Sequence, residues 1–338
     1  MNRLTIGALL AATLGSASRH AAPPAAQGAA PVLRVVADIP LPGGAVRFDY
    51  QSLDLRSDRL YIAHMSAGEI VVVNVKSRRV VGTIGDLPGV TGVWAVPALG
   101  RVYASVTGLH HVAVIDAATM RVVDRIGTIG FPDGIAYAPD QQKIYVSDES
   151  GGGELVIDAK TNRVMHTIPL DGEAGNTLFD PGSRCILVAV QTKNQVWVID
   201  PASDRVLGRF DLQGAARPHG MAIDPARRLA FVANERDARL LVVDLKTMKV
   251  TSTTPVGDAP DVLVFDPQWR RLYVASESGI VSVFSEAGAG LVREGNVHIP
   301  HAHTIAVDPR THLVYLPLQD IGGRPVLRIM EGDPPSGP

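Results

Sequence analysis

Two sets of residues in this chain are spaced for chemistry. Asp49, Thr91, Asp133, Gly175, His219, Asp261 and His303 follow one another at intervals of 42 or 44 residues. Fifteen residues behind each come His64, Val106, Asp148, Val190, Asn234, Ser276 and Leu318. Imidazoles and carboxylates are ligands for divalent cations, and an imidazole near its free pKa can take up a proton at neutral pH. The candidate ligand-binding residues are therefore Asp49, His64, Asp133, Asp148, His219, Asn234, Asp261 and His303. Within that set His64, His219 and His303 are the candidate metal ligands, and His219 or His303 the candidate general base. The bland alternative for each aspartate is a bond to a neighbouring backbone N–H. "HIPHAH" (298–303) is the densest histidine cluster; alternation along a strand lets His301 and His303 share a face but excludes His298. "GLHHV" (108–112) reads as a surface turn.

The spacing itself belongs to a repeat. Tyr61, Tyr103, Tyr145, Leu187, Phe231, Tyr273 and Tyr315 each sit in a short apolar run, such as "RLYIAH" or "RLYVAS", at intervals of 42, 42, 42, 44, 42 and 42. A period held over seven copies marks a repeat architecture. The runs are short, β-branched and bounded by turn residues, and none forms a convincing amphipathic helix. Each copy offers four strands. Asn74, Asp116, Asp158, Asp200 and Asp244 close the third, where the side chain can accept the backbone N–H two residues on and fix the turn. Seven four-stranded units predict an all-β, seven-bladed β-propeller. The last copy ends after three strands, whereas an orphan strand, 32–41, resembles the fourth strands "RVVGTIGDL" and "RVVDRIGTI". It is expected to complete the last blade and remove two open edges. Projected onto this ring, both chemical sets face one mouth of the channel. Gly92, Gly134 and Gly220 follow them where backbones converge and need room.

The "RLYVA" runs, "VIDxxT" turns and "G-x-x-P" segments resemble the YVTN-type, YncE-like seven-bladed propellers over residues 32 to about 332. That resemblance implies the fold but little about activity, since such propellers include binding proteins, surface-layer components, lactonases and lyases. "PHG" at 218–220 also resembles the repeat of streptogramin lyases. Asn234 stands near the place of their metal-bound Glu, and Glu235, one step on, is expected to face elsewhere. A lactonase-like cage would draw on Asp133, Asp148, Asn234 and Asp261.

The N-terminus "MNRLTIGALLAATLGSAS" has the layout of a secretory signal peptide (1–18). A flexible lead-in (19–31), the propeller (32–332) and a tail (333–338) follow, which predicts a periplasmic or secreted monomer. A net charge of −2 argues against nucleic acid as a partner. The lone Cys185 allows no internal disulfide and no thiolate-rich zinc site. No P-loop, dinucleotide fingerprint or nucleophile elbow is present. Arg79, Arg121, Arg163, Arg205 and Lys249, with Arg59, Arg101, Lys143 and Arg271, form cationic rings away from the mouth. They read as a solvated face, or as a surface for an anionic partner. The expected function is binding of a small molecule or a protein at the channel mouth. The alternative is a metal-dependent hydrolase or lyase with a divalent ion in the same funnel.

Overall fold

Branched side chains at alternate positions, punctuated by Asp-led turns, leave this chain little choice but short antiparallel strands. The structure, a computed structural model, describes residues 31–288 and 290–334. The signal-peptide expectation and nearly all of the lead-in lie outside the described residues, as does most of the tail. Twenty-eight strands form seven four-stranded antiparallel sheets. Six blades are consecutive in sequence, at 51–84, 90–126, 132–169, 174–211, 218–255 and 260–298. The seventh combines three C-terminal strands with the first strand, β1 (Arg34–Pro40), which pairs antiparallel with β28 (Val326–Glu331). The orphan strand thus closes the ring as expected.

The core is circumferential. Seven apolar clusters are each shared between two consecutive blades, the last joining the seventh to the first through Tyr315, Leu327 and Ile329 against Leu60, Ile62 and Val71. Most repeat anchors are among the largest buried side chains of these layers, namely Tyr61, Tyr103, Tyr145, Phe231, Tyr273 and Tyr315. Burying such a side chain is worth roughly 1.5–3 kcal/mol, so the 42-residue period records an energetic requirement as well as a geometric one.

The third-strand carboxylates fix the turns. Asp116 accepts N–H groups of Ala118 and Thr119 at 3.2 and 2.9 Å, Asp158 those of Lys160 and Thr161 at 2.8 and 2.9 Å, and Asp244 that of Lys246 at 2.7 Å. Among the cations of this face, Arg79, Arg121, Arg163, Arg205 and Lys249 begin the outermost strands and are exposed. Arg59 and Lys143 instead reach the next blade, at the Ala117 and Pro201 carbonyls. Every outermost strand also carries a register shift against its neighbour. Bulges and charges of this kind protect seven free edges from pairing with another chain.

Candidate functional site

A second series of bulges aims the chemistry. In blades two to six the register between first and second strands shifts around Thr91, Asp133, Gly175, His219 and Asp261. An extra residue bends the strand and re-aims its side chains. The shift recurs at the same repeat position each time and turns these residues toward the axis. A glycine follows three of these bulges, as Gly92, Gly134 and Gly220, and two are obligatory on space: a Cβ on Gly92 would lie 2.0 Å from the Asp133 carbonyl oxygen, and one on Gly220 1.8 Å from that of Asp261. Blade one places Tyr50 at the step where blades two, three and five carry these glycines.

Together these residues line a pocket of about 220 Å³ at one mouth. Asp49, Asp133, His219 and Asp261 border it with Arg47, Tyr50, Glu149, Glu235 and Glu277. Tyr50 also borders a cavity of about 630 Å³ along the axis, whose wall is mainly apolar residues of the innermost strands. The phenol therefore stands between the polar mouth and an apolar channel. Its oxygen lies 3.3 Å from Asp133 Oδ2 and 3.1 Å from His219 Nε2. The phenol donates to the carboxylate and can accept from the imidazole. His219 Nε2 is also 3.4 Å from Asp261 Oδ1.

Burial and like charge set the electrostatics. Desolvation, then repulsion from Asp261 and Asp133, holds the Asp49 carboxyl well above the usual range, with Arg47 opposing. Burial pushes Asp133 up to about 6 against the opposing pull of His219. For His219 burial favours the neutral ring, yet Asp261, Asp133, Glu149 and Glu235 outweigh it and raise the imidazole above its ordinary value.

The structure divides the sequence-derived set. Asp49, Asp133, His219 and Asp261 share the pocket, and His303 joins it through Asp49 and Asp261, whose ligand atoms and its own lie within 4.8 Å of one another. The other three do not reach it. His64 is fully buried, stacked on Phe48 at 4.0 Å between ring centroids, with Glu69 3.4 Å from Nδ1. The histidine trio His64, His219 and His303 therefore does not converge. Asp148 accepts backbone N–H groups of Gly130, Phe131 and Gly151 at 3.0, 2.7 and 2.9 Å. Asn234 is buried and donates to the Arg239 carbonyl at 3.2 Å. These second-strand positions pair opposite the residue preceding each bulge, one strand farther from the axis, and serve the hairpins. Glu235, expected to face elsewhere, lines the pocket.

Tyr50, Arg47, Glu149 and Glu277 were not anticipated. Part of the signal was available: Met65, Glu149, Glu235 and Glu277 each lie four residues past an anchor, a third ring in the same register. Arg47 and Tyr50 break the repeat and have no counterpart to point to them.

No family model and no curated protein matches this sequence. Solved structures do match. Kuenenia stuttgartiensis hydrazine synthase shares 16% identity at a TM-score of 0.72, over 82% of this chain and 94% of that one. A chain of the mitotic checkpoint complex shares 13% identity at a TM-score of 0.75, over 95% of this chain and 99% of that one. Identities this low carry the propeller fold and nothing about activity.

Proposed function

We propose that this chain is an exported, YVTN/YncE-like propeller that acts as a binding scaffold, holding a small positively charged ligand in its mouth pocket. One observation carries the reading. Six acidic side chains, of Asp49, Asp133, Glu149, Glu235, Asp261 and Glu277, border the pocket against one guanidinium, Arg47, and one imidazole, His219. Acidic groups crowded at a partly buried site disfavour one another's ionisation, and a bound cation relieves that repulsion. Export rests on the N-terminal signal-like segment, and the YVTN likeness on the "RLYVA" and "VIDxxT" repeats. Among the described residues no helix is long and apolar enough to cross a membrane.

Calorimetric titration of the purified protein with methylguanidinium and butylammonium, against acetate and butanol, tests this reading. Saturable binding of the cations alone is expected. Replacing Asp133 and Glu235 by their amides should weaken it about tenfold or more, equivalent to about 1.4 kcal/mol. Preference for the anion, or no saturable cation binding, overturns it.

The hydrolase or lyase reading keeps one specific support. The Tyr50 phenol lies between Asp133 and His219, an arrangement that can pass a proton at the pocket floor. Turnover of simple lactones or esters, lost in both Tyr50→Phe and His219→Gln while cation binding persists, would establish it. Absence of turnover across such a panel removes it.

A further inference from the structure

One side of the mouth pocket is more specific than a general acidic surface. Blades one, six and seven meet there and bring together Asp49, Asp261 and His303, each offering a ligand atom within 4.8 Å of the others. Asp49 is only 6% exposed. Among the described residues its carboxylate makes no hydrogen bond or ion pair, although it borders the cavity. A buried carboxylate without a partner is costly to keep. His303 is 4% exposed, and its Nε2 lies 3.0 Å from the Phe48 carbonyl oxygen. That bond assigns the proton to Nε2 and leaves the Nδ1 lone pair free, the pattern in which a backbone carbonyl orients a metal-binding imidazole. His219 Nε2, 3.4 Å from Asp261 Oδ1, orients the second carboxylate in the same way.

We propose that Asp49, Asp261 and His303 Nδ1 bind a first-row divalent metal ion, such as Mn²⁺ or Zn²⁺. The donor set of two carboxylates and one imidazole suits such an ion. Glu277 supplies a fourth donor: its Oε2 is 3.9 Å from His303 Nδ1, while Oε1 pairs with Arg47 at 2.7 Å. The Arg47 side chain, 38% exposed, can turn outward to water and release that carboxylate. The inference rests on the cation-binding reading of the mouth and names the ion for one part of it. The ligand set replaces the non-convergent histidine trio, since its members come from adjacent blades around one gap.

The test uses the mature protein without a histidine tag, stripped with a chelator and checked for folding by circular dichroism. Titration with MnCl₂ or ZnCl₂ should show one site per chain. At a hundredfold excess over Kd, the ion should raise Tm by roughly 5 °C. Asp49→Asn and His303→Gln should each weaken binding at least tenfold, while His301→Gln, at an exposed histidine two residues away, should leave it unchanged. Pulsed electron paramagnetic resonance of the Mn²⁺ form gives a variant-independent reading, with ¹⁴N modulation from one coordinated imidazole expected. Uptake of neither ion, uptake indifferent to Asp49→Asn and His303→Gln, loss in His301→Gln, or Mn²⁺ bound without ¹⁴N coupling would each overturn the assignment. Methylguanidinium binding that survives metal stripping would then leave the broader function standing; failure of both probes would remove both.

Discussion

At the scale of the residue, the acidic groups of this protein differ chiefly in what faces them. Asp116, Asp158 and Asp244 are answered by backbone N–H groups of their own turns, whereas Asp49 and Glu154 are not answered. Glu154 is fully buried, both oxygens lacking a hydrogen-bond partner among the described residues. Burial raises its carboxyl to about 8. The sign of the consequence follows from linkage. Between about 4.5, its ordinary value, and about 8 the folded chain holds a proton that the unfolded chain has released. Stability is therefore greatest below that window and falls as pH rises through it, by about 5 kcal/mol at one pKa unit per 1.36 kcal/mol. Urea unfolding of wild type and Glu154→Gln at pH 5 and pH 9 checks this. The variant should gain several kcal/mol on the wild type between the two, and parallel pH dependences would refute the buried-acid account. The same distinction explains what could be read from the chain in advance. Asp133, Asp261 and His303 were legible because the repeat gives each a register position. His64 and Asp148 hold equally regular positions, but stacking on Phe48 and capture by three N–H groups depend on loop contacts that periodicity does not encode.

At the scale of the element, one extra residue in the first strand does what no side-chain pattern does alone. Around His219 the register of the pair β18 (Pro218–Asp224) and β19 (Leu229–Asn234) shifts between Pro218 and Met221. The bulge carries His219 toward the axis and presses Gly220 against the backbone of the following blade. Because a Cβ at Gly220 would sit 1.8 Å from the Asp261 carbonyl oxygen, Gly220→Ala cannot be absorbed by rotating a side chain. Blade six must shift, carrying Asp261 away from His219. Overpacking of this sort costs about 1–3 kcal/mol or more. The expected result is a lower Tm together with weaker cation binding at the mouth. Gly214→Ala, where a Cβ would meet nothing within 4 Å but φ is +81°, provides a contrast: backbone strain alone should lower Tm modestly and spare the mouth. Equal loss of cation binding in both variants would mean that the bulge does not set the site. The strands were legible from the apolar runs, and the tight glycines from their place beside the mouth residues. The bulges were not, because a one-residue register shift leaves the 42-residue period untouched.

At the scale of the whole molecule, the ring is a closed circuit of seven blade-to-blade layers whose only covalent gap lies within blade seven. There β1 is held by pairing with β28, by buried Ile39, and by the ion pairs Arg34–Glu331 and Arg328–Asp38 at 2.9 and 2.7 Å. If this seam is where the circuit opens, a covalent link across it should stabilise the entire fold. Asp38 and Arg328 are directly paired and their side chains already meet, so Asp38→Cys with Arg328→Cys offers a suitable bridge. The buried Cys185 is the sole native thiol and competes little. The bond would close nearly the whole propeller into one loop. The chain-entropy relation then gives about 6 kcal/mol, and typical disulfides deliver about 2–4 kcal/mol. Comparing oxidised and reduced forms of the same double variant isolates the link from loss of the ion pair. The oxidised form should melt several degrees higher and unfold more slowly, and dithiothreitol should reverse both effects. Equal unfolding rates in the two forms would place the rate-limiting opening between other blades, and the N-terminal strand would then be a passive edge rather than the latch of the ring.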